Sequence, residues 1–175
     1  GQKASQSSLT AGAHQHFFQG ATHTITVNAG EVLFASVYLD PANPPSEIML
    51  QWNDGTWEHR AYWGANNLTL YGNDGTDSRR YMGPLPPAGQ WTLLQVPAAQ
   101  VGLSGSTLNG MAFTTYDGRA TWDYAGKGIF STTSAASGGT GTPSQISRGC
   151  MSRVIAGAPP TWSPSPCVAT MCVIR

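Results

Sequence analysis

The 175-residue chain reads as all-β, a two-sheet sandwich or jelly roll. Three observations predict this. Apolar and polar residues alternate with period 2 in short runs. Turn signals separate those runs at spacings of roughly eight to twelve residues. The composition, with 21 Gly, 12 Pro and only 10% charged residues, suits short strands joined by turns and disfavours a helical protein.

The first strand carries His14-Gln15-His16. "THTITV" (Thr22 to Val27) alternates, with His23, Ile25 and Val27 on one face. "EVLFASVYLD" (Glu31 to Asp40) is a long strand, largely apolar on both faces, and "DPANPP" is a rigid connection. "EIMLQWN" (Glu47 to Asn53) leads into Asn53-Asp54-Gly55, a strong hairpin signal, and "TWEHRAYWG" returns antiparallel. Asn73-Asp74-Gly75 and Asp117-Gly118 mark further turns. "WTLLQVP" (Trp91 to Pro97), "LNGMAFTTY" (Leu108 to Tyr116) and "RATWDYAG" (Arg119 to Gly126) complete the strands. Only "PAAQVGL" (Pro97 to Leu103) is suited to a turn of helix.

The charge divides the chain. Gly1 to Lys127 holds nine acids and six bases, and Gly128 to Arg175 holds three Arg and no acid. Cys150, Cys167 and Cys172 all lie in the second part, so the core does not rest on disulfides. "STTSAASGGTGTPS" (Ser131 to Ser144) has linker composition, and "GCMSRVIAGAPPTWSPSPCVATMCVIR" (Gly149 to Arg175) shows neither strand nor helix period. The expected organisation is one domain over residues 1–130 and a linker and tail over 131–175. The tail is either foreign or out-of-frame sequence at a cloning junction or a native segment that adds a strand. With no initiator Met and no signal peptide, the start is expected to be that of a mature or excised fragment. A formal net charge of zero gives no support for nucleic-acid binding, and no apolar run is long enough for membrane insertion by a helix.

The densest aromatic stretch is "WNDGTWEHRAYWG" (Trp52 to Gly64). A tight turn at Asn53-Asp54-Gly55 pairs Trp52 with Trp57 and Leu50 with His59. That register puts Trp52, Trp57, His59 and Trp63 in the core and Gln51, Glu58, Arg60 and Tyr62 on a solvated outer face. Sugars stack their CH faces on aromatic rings and bridge their hydroxyls to amide, carboxylate and guanidinium groups. Gln51, Glu58, Arg60 and Tyr62 supply that mixture, with Tyr71, Asn66 and Asn73 at a rim. The plainer alternative is an ordinary solvated sheet face with a Glu–Arg pair of little energetic worth.

His14-x-His16 has a common metal-ligand spacing, with His23 or His59 as a third ligand and Glu58 or Glu31 as a carboxylate; Zn2+ or Cu2+ would suit such a set. The alternative is a pair of ordinary strand histidines. The chain carries no Gly-x-Ser-x-Gly, P-loop or dinucleotide fingerprint, and no Cys lies in the domain to act as nucleophile. A glycosidase pair drawn from Glu47, Asp54, Glu58 and Asp77 stays open. Asn67-Leu68-Thr69 matches a glycosylation sequon.

"GQWTLLQVPAAQVGLSGSTLNGMAFTTYDGRATWDYAG" resembles the C-terminal half of jelly-roll carbohydrate-binding modules. "HQHFF", "VYLDPANPPSEIMLQWNDGTWEHRAYWG" and "RRYMGPLPPAGQW" resemble uncharacterised bacterial modules that sit beside repeat or immunoglobulin-like domains in large proteins. The resemblance covers about residues 5 to 127. It implies a jelly-roll β-sandwich, a polysaccharide or other glycan as partner, and a secreted or cell-surface setting in a bacterium. It also implies a structural Ca2+ ligand at Asp123, to which Asp40, Glu31 and Asp117 could add oxygens. "HQH" before "VNAGE" resembles the first cupin motif only at a distance, because the Glu expected after the second His is absent.

Three functions therefore stand: a non-catalytic carbohydrate-binding or cell-surface module, a small metal-dependent hydrolase or oxidoreductase using His14 and His16, and a structural spacer.

Overall fold

The computed structural model describes residues 4–130 and a two-residue strand, Cys172–Val173. The linker and most of the tail, with Cys150 and Cys167, lie outside the described residues.

Twelve strands run in chain order: β1 (Ser5–Gln6), β2 (Ala13–Phe18), β3 (Ile25–Thr26), β4 (Val32–Leu39), β5 (Glu47–Asn53), β6 (His59–Gly64), β7 (Arg80–Tyr81), β8 (Trp91–Pro97), β9 (Thr107–Leu108), β10 (Gly110–Tyr116), β11 (Ala120–Gly128) and β12 (Cys172–Val173). A 3-10 turn, Ala98–Val101, succeeds β8 where the sequence suits a helical turn. One sheet has the order β1-β11-β4-β8, with β12 also paired to β11; the other has the order β2-β10-β5-β6-β7. β3 and β9 form a small separate ribbon. The chain steps between the two large sheets at β1–β2, β2–β4, β4–β5, β7–β8, β8–β10 and β10–β11. This is the double Greek-key order of a jelly roll.

Alternation along each strand explains why the core sits between the sheets. Leu33, Ala35, Val37 and Leu39 of β4 point inward, as do Ile48, Leu50 and Trp52 of β5, Ala61 and Trp63 of β6, Leu94 and Val96 of β8, and Trp122 of β11; all are buried in one cluster. β11 carries a bulge between Asp123 and Ala125, where Tyr124 takes a left-handed φ of 52°. Asp117 and Gly118, both with positive φ, make the β10–β11 connection between the sheets.

The β5–β6 hairpin corrects the predicted register. Trp52 pairs with His59 and Leu50 with Ala61. Asn53 remains in the ladder opposite Gly110, so the connection is the longer segment Asp54–Glu58. Side-chain bonds hold it: Asn53 Oδ1 accepts from Gly55 N at 2.9 Å, and Asp54 Oδ2 accepts from Ser106 Oγ at 3.0 Å. The His59 ring bridges Asp54 Oδ1 (3.3 Å) and the Val101 carbonyl (2.6 Å). The shift is two residues, an even number, so Trp52 and Trp63 keep their inward facing. Trp57 is not a core residue. It sits in the connection, half-buried, on the outer side of the second sheet.

Two ion pairs tie the residues flanking β4 to the two ends of β11. Lys127 Nζ lies 2.7 Å from Glu31 Oε2, and Arg119 Nη2 lies 2.6 Å from Asp40 Oδ2. Burial pushes the Glu31 carboxyl up, but the Lys127 ammonium and the Asn28 N–H outweigh it and hold it below the usual range. The Ala42 N–H and then Arg119 hold Asp40 down as well. Such carboxyls stabilise the fold above their unfolded pKa, about 4. Their contribution is lost as pH falls through the lower folded value. The stability gap between the native protein and Glu31→Gln should therefore narrow as pH falls from about 5 to about 3, read by thermal melts. A gap that is constant over that range would show that the Glu31 pair contributes nothing through its charge.

Candidate functional site

The outer face of the second sheet carries a concave site. Alternation puts Gln15 and Phe17 of β2 on this face, with Ala112 and Thr114 of β10, Gln51 of β5 and Arg60 of β6. The polar members form one chain of hydrogen bonds across four strands. Arg60 Nε donates to Gln51 Oε1 at 2.9 Å. Gln51 Nε2 donates to Thr114 Oγ1 at 2.6 Å and to Gln15 Oε1 at 3.1 Å. Thr114 Oγ1 donates to Gln15 Oε1 at 3.0 Å.

Above this floor lies a groove of about 290 Å³. Ala112, the smallest side chain of the floor, gives it depth. Phe17 and Trp57 form one wall, edge to face with ring centroids 6.1 Å apart, and the Trp57 indole N–H donates to Gln19 Oε1 at 3.4 Å. Phe17 is 55% exposed, a large apolar ring at a wet surface. Tyr71 and Arg60 also line the groove.

Tyr71 is placed by a cover segment, residues 65–79, that folds onto the β5–β6 half of the same face. Its Leu68 is buried against Met49 and Tyr62. The Glu47 carboxylate accepts from the Asn67 and Leu68 backbone N–H groups, at 2.5 and 3.0 Å, and Arg79 Nη1 donates to the Leu68 carbonyl at 3.0 Å. Burial pushes the Glu47 carboxyl above its usual range despite those two N–H groups. The Tyr62 hydroxyl donates to Asp74 Oδ1 at 2.8 Å, and burial together with that carboxylate pushes the phenol up to about 12.

This geometry brings together some of the residues singled out in the sequence and separates others. Gln51, Arg60 and Tyr71 line the groove, but Gln51 (3% exposed) and Arg60 (6%) are buried in its floor by their hydrogen bonds and not solvated as expected. Glu58 is exposed at its margin, 3.4 Å from Arg60 Nη1. Tyr62, expected on a solvated face, is 3% exposed beneath the cover, and Asn66 donates to Asp74 Oδ2 away from the groove. Gln15, Phe17, Gln19 and Trp57 are the groove residues that sequence reasoning missed. The signal for the first three was the alternation of "HQHFFQ", in which the His positions drew attention from the opposite face.

The histidines face the other way. His14 and His16 point towards the core, where His16 stacks on Phe113 at 5.0 Å and burial lowers its pKa. His14 Nδ1 lies 3.1 Å from the Gly12 carbonyl, and His23 is exposed outside β3. Among the described residues, no group of three or more His, Cys, Asp or Glu side chains is arranged to hold a metal ion. Of the carboxylates expected at a Ca2+ site, Glu31 is engaged by Lys127, Asp40 by Arg119, and Asp117 by the Gly12 N–H at 2.7 Å. Asp123 is half-buried on β11, and the basic residues at the two ends of that strand, Arg119 and Lys127, pair with Asp40 and Glu31.

Comparison with protein-family models, curated proteins and solved structures finds no match to this chain.

Proposed function

We propose that the chain is a non-catalytic glycan-binding module that holds an oligosaccharide across the outer face of the second sheet. The observation that carries this reading is the pairing of solvent-facing Phe17 and Trp57 rings with a hydrogen-bonded amide and guanidinium floor in one groove. Rings of this kind offer apolar faces to sugar CH groups, and amides fix the orientation of the polar substituents. From β2 to β6 the face spans three strand spacings, about 14 Å, room for a short run of sugar units.

A binding role is favoured over hydrolysis by the carboxylates. Glycoside hydrolysis uses two facing carboxyl groups. Among the described residues, Glu58 alone borders the groove, whereas Glu47 is buried under the cover, Asp54 is bound by Ser106 and His59, and Asp77 pairs with Arg80. The sequence resemblance extends the proposal to a secreted or cell-surface setting in a bacterium.

Affinity electrophoresis against a panel of soluble acidic and neutral polysaccharides tests the proposal. One or more should retard the native protein, and Trp57→Ala and Phe17→Ala should each weaken that binding by about tenfold or more while keeping native circular dichroism. Retardation that survives both substitutions would place any glycan site elsewhere.

A further inference from the structure

The direction of the hydrogen bonds beneath the groove limits what its ligand can be. Arg60 Nε and the Trp57 indole N–H can only donate. Because Arg60 Nε donates to Gln51 Oε1, the Gln51 amide must present its nitrogen to the next neighbours, and Gln15 must receive it through Oε1. Arg60 thus orients the Gln51 and Gln15 amides, and the exposed Gln19 amide turns its oxygen to the Trp57 indole across a longer 3.4 Å contact. A ligand is left with the Gln15 Nε2 and Gln19 Nε2 groups, for which no protein acceptor is found among the described residues, and with Arg60 Nη2. The last reaches Glu58 Oε1 only at a long 3.4 Å, and the Glu58 side chain is 62% exposed and free to be displaced.

A floor that mainly donates suits a ligand that mainly accepts. A neutral sugar hydroxyl must place its own hydrogen as well, and here the amide oxygens are already engaged. An ionised carboxylate only accepts, and its bonds to guanidinium and amide N–H are the stronger, charge-assisted kind. Resting on the glycan-binding reading of the groove, we infer that the ligand is a polyuronate, a glycan whose repeating units carry carboxylates. One carboxylate replaces Glu58 at Arg60 Nη2, and the Gln15 amide donates to a further oxygen of the same glycan, with the sugar ring against Trp57.

Isothermal titration of the full chain with polygalacturonate, alginate, methyl-esterified polygalacturonate and a neutral β-glucan tests this. A polyuronate should bind, more weakly as salt rises, and esterification should weaken it by about tenfold or more. Gln15→Glu should weaken polyuronate binding by a similar factor, and Glu58→Gln should strengthen it. Equal binding of ester and acid, or of the β-glucan and the polyuronates, with Trp57→Ala abolishing both, would overturn the carboxylate requirement and leave the groove reading standing. Binding indifferent to Trp57→Ala, or no binding by any of the four, would overturn the groove reading and this inference with it.

Discussion

Trp52→Ala should cost about 3–5 kcal/mol, a large share of the 5–15 kcal/mol that holds a domain of this size. Trp52 is 1% exposed near the end of β5, laddered to Met111 on one side and His59 on the other, and its indole packs in the core between the sheets. Truncation leaves a cavity that the flanking strands cannot close without breaking their ladders. Trp57→Ala, five residues on, should cost about 1 kcal/mol or less, because Trp57 packs on Phe17 in a wet groove rather than in the core. Urea unfolding monitored by circular dichroism measures both. A Trp57→Ala loss as large as that of Trp52→Ala would return Trp57 to the core and contradict the five-residue connection.

The second large effect is expected at Gly72. Its φ is +76°, and a Cβ there would meet Arg60 Nη1 at 2.6 Å and press on the Ser78 backbone carbonyl. Gly72→Ala combines left-handed strain with overpacking, about 2–4 kcal/mol together. It also pushes Arg60 and the adjoining Tyr71 out of the groove, so ligand affinity should fall with stability. Gly75→Ala is the control. Its φ is +79° with open space around the added carbon, so it carries the strain alone, about 1–2 kcal/mol. If the two variants unfold at the same denaturant concentration, the close approach of Gly72 to Arg60 is not a stabilising feature of the cover.

Most strands are legible because alternation and turn residues are local signals. "EIMLQWN" and "WTLLQVP" match β5 and β8 residue for residue, and the 3-10 turn falls on the one segment suited to it. The inward facing of Trp52 and Trp63 is legible for the same reason, since strand parity survives an even slip. The hairpin register is not. It depends on Asn53 pairing with Gly110 and on Ser106 and Val101 holding Asp54 and His59, contacts that come from distant parts of the chain. The groove is half legible. Gln51, Arg60 and Tyr71 stand near the aromatic stretch in sequence, whereas Gln15, Phe17 and Gln19 reach it only because β2 pairs with β10 across a separation of about a hundred residues. The burial of Tyr62 is hidden too, because nothing local marks residues 65–79 as a cover instead of a surface loop.

Mapping where a glycan touches the protein tests the central claim most directly. The 15N-labelled chain would be titrated with a short oligomer of whichever polysaccharide it binds, and both backbone and side-chain N–H signals tracked by NMR. The largest shifts are predicted at the side-chain amides of Gln15 and Gln19 and at the Trp57 indole. Trp91, which is 53% exposed beside Tyr38 on the opposite sheet, should stay unmoved. Shifts centred on Trp91 with the Trp57 signal unchanged would contradict the account.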